Sequence, residues 1–299
     1  MSFLGKVLYY TRATSWILLL LLSAAYGTIA SVVLTLVGKQ HLAQWSTARF
    51  HYFVMSKFLG VKVKVINEHI LENKPFIAVS NHQSTLDILF LGRIFPPGCT
   101  VTAKKSLKYV PFLGWFMALS GTLFLDRANR DKSVTTLNRG LEKVREQKRA
   151  LWIFPEGTRS YSTTPKLLPL KKGAFHLAQQ GKIPIVPVVV SNTSTIFCSK
   201  YSIFNRGTIY VKVLEPIPTK DLKKEDVSEL TEKVRSMMEK EIDTLGYSEA
   251  IDDTGVPPEA TRLIQDHVST STKSDYGSIK KDSATVIVSS GSNSHLNES

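Results

Sequence analysis

A histidine and a carboxylate stand five positions apart in the stretch Asn81–Asp87. The imidazole of His82 can accept a proton near neutral pH, and the carboxylate of Asp87 can orient it. Two residues five apart on one regular helix point about 140° away from each other. The side chains therefore meet only if His82 precedes the helix and Asp87 lies in its first turn. We predict that geometry, with Ser84 or Thr85 as the N-cap. The alternative for Asp87 is a capping box with Ser84.

A buried strand and a helix are predicted to position this histidine. The apolar run Phe76–Ser80 leads into the turn, and an apolar pattern from Leu86 to about Phe95 leads out of it. Sheets of α/β proteins commonly carry chemistry at such a strand end. Strands and helices alternate downstream, which predicts an α/β fold with a central mixed or parallel sheet flanked by helices. The strands are predicted at 61–65, 76–80, 101–103, 122–125, 151–154, 185–190 and 209–214, and the later helices at 110–116, 133–148, 173–180 and 220–245.

Two further loops with charged residues follow predicted strands. One ends in Asp126-Arg127, and the other is Phe154-Pro155-Glu156-Gly157-Thr158-Arg159. Taken alone, the second loop is a turn in which Gly157 supplies a permissive backbone and Arg159 a solvated charge. Lys104 and Lys105 follow another predicted strand and either add positive charge near a substrate or form a solvated basic edge.

These motifs, in this order, resemble those of the glycerolipid acyltransferase (PlsC-like) family, and most closely its fungal 1-acyl-glycerol-3-phosphate acyltransferases. The matches are His82-x-x-x-x-Asp87, Gly121-x-x-Phe124-x-x-Arg127, Phe154–Arg159 and the proline-containing Val186-Pro187-Val188. The resemblance covers roughly Lys62 to Leu214. It implies a glycerol-3-phosphate acyltransferase-like fold. It also implies acyl transfer from acyl-CoA, as co-substrate, to the sn-2 hydroxyl of lysophosphatidic acid, which yields phosphatidic acid.

The resemblance also implies roles for individual residues. His82 becomes the general base that takes the proton of the attacking hydroxyl, a contribution of about 10²–10⁴ in rate, and Asp87 fixes its tautomer. No serine or cysteine nucleophile is required, because the hydroxyl attacks the thioester directly. Backbone N–H groups of the third loop or near Lys104-Lys105 are candidates for the oxyanion hole. The residues implied in binding glycerol phosphate are Arg127, Glu156, Gly157, Thr158 and Arg159, with Lys104 and Lys105 as candidates beside the phosphate.

Other classes of enzyme lack their motifs. The chain contains no Gly-x-Ser-x-Gly, no His-Glu-x-x-His and no Walker loop. Its two cysteines have no metal-ligand spacing, so we predict neither a metal nor a resident cofactor. The formal charge of +13 predicts attraction to anionic partners, which include phosphorylated small molecules, acidic lipid headgroups and nucleic acid. Of these we expect an anionic membrane surface as a partner and no nucleic acid. Two alternatives stay open: a sister acyltransferase for glycerol-3-phosphate or another lysophospholipid, and a non-catalytic membrane protein that binds anionic lipid.

Three regions are predicted: a membrane anchor with an interfacial helix (1–60), a catalytic domain (61–250) and a largely disordered Ser- and Thr-rich tail (251–299). Trp16–Val37 has no charged residue and would span about 33 Å as a helix, close to bilayer thickness. The apolar run continues past Ala25, which favours a retained anchor over a cleaved signal peptide. It either spans the membrane or re-enters it, and Gln40–Leu59 either lies at the interface or packs on the domain. We expect the endoplasmic reticulum membrane, or a lipid droplet, with the catalytic domain in the cytosol.

Overall fold

A computed structural model describes residues 3–126, 130–252 and 255–262. Arg127 and most of the predicted tail lie outside these residues. The helices are α1 (Phe3–Leu36), α2 (Ala43–Leu59), α3 (Asp87–Ile94), α4 (Leu113–Leu119), α5 (Arg130–Glu146), α6 (Gly173–Gly181) and α7 (Val227–Leu245). The strands are β1 (Val61–Ile66), β2 (Phe76–Ser80), β3 (Cys99–Lys104), β4 (Leu123–Leu125), β5 (Ala150–Ile153), β6 (Ile185–Val190), β7 (Phe197–Cys198), β8 (Ile203–Phe204), β9 (Gly207–Val213) and β10 (Glu249–Ala250).

The main sheet is mixed and has the strand order β1-β9-β6-β2-β5-β3-β4, with β10 beside β9. Strand β2 is fully buried and pairs in parallel with β5 and β6, so that Ala78 lies between Trp152 and Val186. Strands β3 and β4 continue the parallel part, whereas β9 runs antiparallel to β6. The carboxyl ends of β2 to β6 therefore meet at one edge of the sheet. The predicted α/β fold with a mixed sheet is confirmed.

Helices cover both faces of the sheet because successive strand residues point to opposite sides. On one face, Ala78 and Trp152 pack in a core with Trp16 of α1, Met55 of α2 and Phe90 of α3. On the other face, residues of β2 and β5 pack against α6 and α7, with α5 contributing at the edge. The core on this second face includes Ile77, Leu151, Phe175, Val234, Met238 and Val144.

Several helix ends differ from the prediction. Helix α4 is Leu113–Leu119 instead of 110–116, because Phe112 has a positive φ of 60° and precedes it. Helix α5 is Arg130–Glu146 instead of 133–148, and Lys148 after it has a φ of 46°. Helix α3 begins at Asp87, and neither Ser84 nor Thr85 caps it; the Ser84 hydroxyl instead accepts from the Leu86 N–H at 3.1 Å. Helix α6 includes Gly181 and ends because Lys182 adopts a left-handed conformation (φ 52°). Helix α7 begins at Val227, not at Lys220, because a turn precedes it in which Asp226 accepts from the Lys223 N–H at 2.7 Å.

Helices α1 and α2 pack on the rest of the chain, on the face of the sheet that also carries α3. Within the described residues, α1 supplies the stretch Gly5–Leu36, which is long and apolar enough to cross a membrane. Helix α2 has a buried side that includes Thr47, His51 and Met55, while its Phe53 is 59% exposed. One side of α2 therefore packs on the rest of the chain, and a position at the membrane interface stays a prediction.

Candidate active site

Two neighbouring strands bring the first and third motifs together. His82 follows β2, Phe154–Arg159 follows β5, and these strands pair in parallel. The two loops are also joined through their backbones, because Ser160 N–H donates to the His82 carbonyl and Tyr161 N–H to the Gln83 carbonyl, each at 2.9 Å. Strand pairing and these two hydrogen bonds place the third motif directly beside His82.

His82 and Asp87 make the contact that their spacing predicts. His82 Nδ1 lies 2.5 Å from Asp87 Oδ2, and the same oxygen accepts from Gln83 N–H at 2.7 Å and Ser84 N–H at 3.2 Å. The bonds from Gln83 and Ser84 hold the Asp87 side chain against the turn that precedes α3, so Asp87 both fixes this turn and orients the imidazole. The His82 ring also stacks on Phe154, with 4.1 Å between ring centroids.

The protonation of this pair follows from its burial and its donors. Burial raises the pKa of Asp87, which is 2% exposed, while the hydrogen bond from His82 and those from two backbone amides oppose that rise. Asp87 Oδ2 already accepts from two backbone N–H groups, so a neutral His82 ring that bonds to this oxygen carries its proton on Nδ1. The lone pair of Nε2 is then available, and the His82 side chain keeps 16% of its surface exposed. A ligand hydroxyl that reaches this nitrogen can pass its proton to the ring.

Glu156 is buried next to His82, and its carboxylate binds backbone N–H groups instead of facing a ligand. It is 3% exposed, and its carboxylate accepts from His82 N–H at 2.6 Å and from Leu168 N–H at 3.1 Å. Burial raises its pKa to about 7, against the effect of these two donors. The resemblance implied that Glu156 binds glycerol phosphate. That interpretation could not include Leu168, which is twelve residues away in the chain and meets Glu156 only in the fold.

The rest of the third motif forms a basic rim beside His82. Gly157 has φ 73°, and an added Cβ there would lie 2.7 Å from Lys171 Nζ, so Lys171 reaches over this turn. Arg159 is half-buried and donates to the Tyr161 hydroxyl at 3.3 Å, and Thr158 is exposed. Lys171 was not among the predicted site residues because it lies beyond the motif along the chain.

Lys104 and Lys105 lie at the same edge of the sheet but farther from His82. They end β3, which is two strands from β2, a lateral distance of about 10 Å. Lys105 donates to Asp126 at 3.0 Å, so its charge is already paired. Of these two, Lys104 is the more available to a ligand. Arg127, which the resemblance implies in binding glycerol phosphate, lies outside the described residues.

Two amides that the sequence interpretation missed fix the His82 turn to β6. Asn81 exchanges hydrogen bonds with the backbone of Val190, both at 2.9 Å. Gln83 donates to the carbonyls of Val190 and Ser191 and accepts from Thr193 N–H. Both amides flank His82 in the sequence, which was the one available signal, but their partners are more than one hundred residues away.

An apolar cavity of about 130 Å³ lies beside α3, and neither His82 nor Asp87 lines it. Ile88, which follows Asp87, lines it together with Leu91 on the same helix. Residues of α1, α2 and α4 close the cavity, among them Leu20, Ala48 and Met117. Its apolar lining suits a hydrocarbon chain.

The cysteines do not supply a nucleophile. Cys99 and Cys198 are both buried, and burial raises the pKa of each thiol, which suppresses the reactive thiolate. Among the described residues, no group of three or more His, Cys, Asp or Glu side chains is arranged to hold a metal ion. Metal independence remains a prediction.

Comparisons with known proteins agree on one family. Residues 62–191 match the family model described as Acyltransferase. The chain is 62% identical over 260 residues to 1-acyl-sn-glycerol-3-phosphate acyltransferase of Saccharomyces cerevisiae, covering 87% of this chain and 86% of that protein. It is 37% identical over 180 residues to human 1-acyl-sn-glycerol-3-phosphate acyltransferase alpha, covering 60% and 63%. The crystal structure of the LPA acyltransferase PlsC from Thermotoga maritima has the same fold, with a TM-score of 0.52 at 22% identity over 74% of this chain and 97% of that one.

Proposed function

The chain belongs to the glycerolipid acyltransferase family, and we propose that it transfers an acyl group from acyl-CoA to the sn-2 hydroxyl of lysophosphatidic acid. The product is phosphatidic acid. The observation that carries this proposal is the His82–Asp87 pair, in which a buried carboxylate holds Nδ1 at 2.5 Å and leaves Nε2 available. Relatives named as acyltransferases of 1-acyl-sn-glycerol-3-phosphate support the choice of acceptor.

The reaction begins with the acceptor hydroxyl. Nε2 of His82 removes its proton while the oxygen attacks the thioester carbonyl, and Asp87 stabilises the imidazolium that forms. The tetrahedral intermediate then collapses, the carbon–sulfur bond breaks, and the CoA thiolate takes the proton back from His82. One ester and one free thiol result, and no acyl-enzyme intermediate is needed.

Backbone amides of the third motif are our candidates for stabilising the oxyanion. Within this loop, the N–H groups of Gly157, Ser160 and Tyr161 already donate to carbonyls. The N–H groups of Thr158 and Arg159 have no such recorded bond in the described part of the chain. One or both are therefore proposed to face the developing negative charge, where one donor contributes about 10²–10³ in rate.

The basic rim is proposed to bind the phosphate of the acceptor. Arg159 is adjacent to Ser160, whose N–H donates to the His82 carbonyl at 2.9 Å, so the Arg159 backbone lies beside the His82 turn. Its planar fork of donors matches a phosphate better than a single ammonium group does. Lys171 adds charge over Gly157. We propose that Glu156 positions the His82 backbone and that the apolar cavity along α3 receives the acyl chain.

The chain associates with membrane through α1, and the compartment remains a proposal. We propose the endoplasmic reticulum, or lipid droplets derived from it, with the catalytic domain in the cytosol. Lysophosphatidic acid would then reach the site from the bilayer, and acyl-CoA would reach it from the aqueous side.

An acceptor-dependent assay tests the proposal. Purified full-length protein in detergent micelles is mixed with acyl-CoA, and release of the CoA thiol is measured with lysophosphatidic acid, glycerol-3-phosphate or lysophosphatidylcholine. We expect release that depends on lysophosphatidic acid, with phosphatidic acid as the product. A faster reaction with another acceptor would reassign the substrate. Lipid binding without thiol release would contradict an enzymatic function.

A further inference from the structure

A polar pocket, separate from the apolar cavity beside α3, lies at the edge of the sheet opposite to His82. It has a volume of about 60 Å³ and is formed where β3, β4 and β5 begin, with Cys99, Gly121 and Arg149 in its wall. Because these strands run parallel to β2, their amino ends face away from the edge that carries the active site. The two sites are therefore separate.

The wall of this pocket is basic. His41, Lys143 and Arg149 line it, and Thr100 and Ser120 add hydroxyl groups. Arg149 is half-buried, and its stem packs on Gly98, since an added Cβ there would lie 3.7 Å from Arg149 Cγ. A pocket with these groups matches an anion better than a cation or an apolar ligand.

No carboxylate neutralises this charge within the described residues. The ion pairs found there, defined by an N···O distance of up to 4.0 Å, include neither Arg149, Lys143 nor His41. Burial lowers the pKa of His41, and the nearby charges of Arg149, Lys39 and Lys74 lower it further. Burial also lowers the pKa of Arg149. A partly desolvated guanidinium among other cations is costly without an anionic partner.

The pocket opens beside apolar surface at the end of α1. Leu36 is 81% exposed and Val37 60% exposed, and they precede Gln40 and His41 of the pocket wall by only a few residues. The Gln40 side chain donates to the carbonyl of Leu119, another exposed apolar residue, at 2.7 Å. An anion in this pocket would thus lie next to exposed apolar side chains. A lipid can cover these side chains with its acyl chains, and a free ion cannot.

We propose that this pocket binds the phosphate monoester headgroup of a membrane glycerolipid, at a site distinct from the active site. The Arg149 fork and the Lys143 ammonium would contact the phosphate oxygens. The acyl chains would lie along the exposed apolar residues at the end of α1. A phosphate monoester suits the cluster of cations because it carries more negative charge than the phosphodiester of other phospholipids.

Binding measured in an Arg159→Gln background tests this site without interference from the active-site phosphate. The full-length protein in detergent micelles is titrated with phosphatidic acid incorporated in the micelles, or with inorganic phosphate in the buffer. Thermal stabilisation by each ligand gives an apparent Kd. We expect Arg149→Gln to raise the Kd for phosphatidic acid about tenfold. Lys143→Gln should also raise this Kd, at a side chain that is more exposed.

Arg145→Gln is the matched control. It removes an exposed positive charge from α5, the helix that also carries Lys143, and Arg145 does not line the pocket. It should leave the Kd unchanged. Equal Arg149-dependent stabilisation by inorganic phosphate would keep the site but overturn the lipid assignment. Phosphatidic acid binding that neither Arg149→Gln nor Lys143→Gln weakens would overturn the proposal. Because every variant lacks Arg159, failure of this site is independent of the proposed acyl transfer.

Discussion

At the scale of single residues, Asp87 decides which nitrogen of His82 is available. Its Oδ2 atom collects the ring Nδ1–H and two backbone N–H groups, whereas Oδ1 has no hydrogen-bond partner in the described structure. All of its recorded hydrogen bonds thus support one orientation of the imidazole. The pair should lose its function if a group that donates hydrogen bonds replaces this oxygen.

Replacing Asp87 with Asn tests that dependence. The Asn side chain carries no negative charge to stabilise the imidazolium, and wherever its NH2 group faces Nδ1 it donates instead of accepting. We expect kcat to fall about 10²-fold or more, with little change in KM for acyl-CoA. Steady-state kinetics on the folded variant measure this. Asp243→Asn, at an exposed position of α7, is the control and should retain full turnover. Equal kcat in the two variants would remove Asp87 from the mechanism.

Glu156 makes stability depend on pH. Its pKa rises from 4.5 to about 7 on folding because it is buried, so the folded protein holds a proton there that the unfolded chain releases. The raised pKa of this acid contributes stability that is fully present below the unfolded value and is lost as pH rises through about 7. Between about pH 5.5 and about pH 7.5 the loss is on the order of 2 kcal/mol.

Glu156→Gln should remove that part of the pH dependence. The expected result is a difference in unfolding free energy between wild type and variant that changes by about 2 kcal/mol over this pH range, in favour of wild type at the lower pH. Denaturant unfolding in detergent at the two pH values measures it. Parallel stability curves for the two proteins would mean that Glu156 does not titrate in this range.

At the scale of elements, the strand β2, the turn after it and the start of α3 set the geometry of the site. The sequence predicted β2 at its observed bounds and predicted the His82–Asp87 contact, because apolar patterning and helical spacing are local properties. It misplaced the N-cap, because Ser84 bonds to Leu86 and Asp87 takes the first helical position. Long-range partners, such as Leu168 for Glu156, leave no local signal.

The cavity between α2 and α3 gives a prediction about acyl chains. Ala48 lines it, and Ala48→Leu would fill part of its volume of about 130 Å³. We expect the ratio of kcat/KM for long-chain over short-chain acyl-CoA to fall about tenfold, since one methylene group in such a pocket contributes about 1–3 kcal/mol. The exposed Ala118 offers Ala118→Leu as a control that should not change the ratio. An unchanged preference in Ala48→Leu would place the acyl chain elsewhere.

At the scale of the whole molecule, α1 packs along the α/β domain instead of projecting from it. Arg12 near its start donates to Asp252 and to the Phe204 carbonyl, each at 2.6 Å. Thr28, sixteen residues later, donates to the Phe112 carbonyl at 3.2 Å. These contacts span about 24 Å of helix. The opposite side of α1 is apolar and exposed, with Leu18 and Ile29 at 61% and 66%. We propose that α1 lies in one leaflet and does not cross the bilayer.

Chemical labelling tests that placement. We expect Lys6→Cys in α1 and Lys224→Cys in the catalytic domain to react with a membrane-impermeant maleimide on the same side of sealed microsomes. The parent protein is the control, because both native cysteines are buried. Labelling on opposite sides would show that α1 spans the membrane, and its contacts with the domain would then have to break.

In the proposed mechanism His82 takes the proton of the attacking lipid alcohol, and the variant His82→Ala removes the group that accepts it. The measurement is kcat for CoA release with saturating acyl-CoA and lysophosphatidic acid, compared with His69→Ala, which removes an exposed imidazole outside the site. We predict that kcat falls by about 10²–10⁴ in His82→Ala and stays at the wild-type value in His69→Ala. Near-normal turnover in folded His82→Ala would contradict the mechanism.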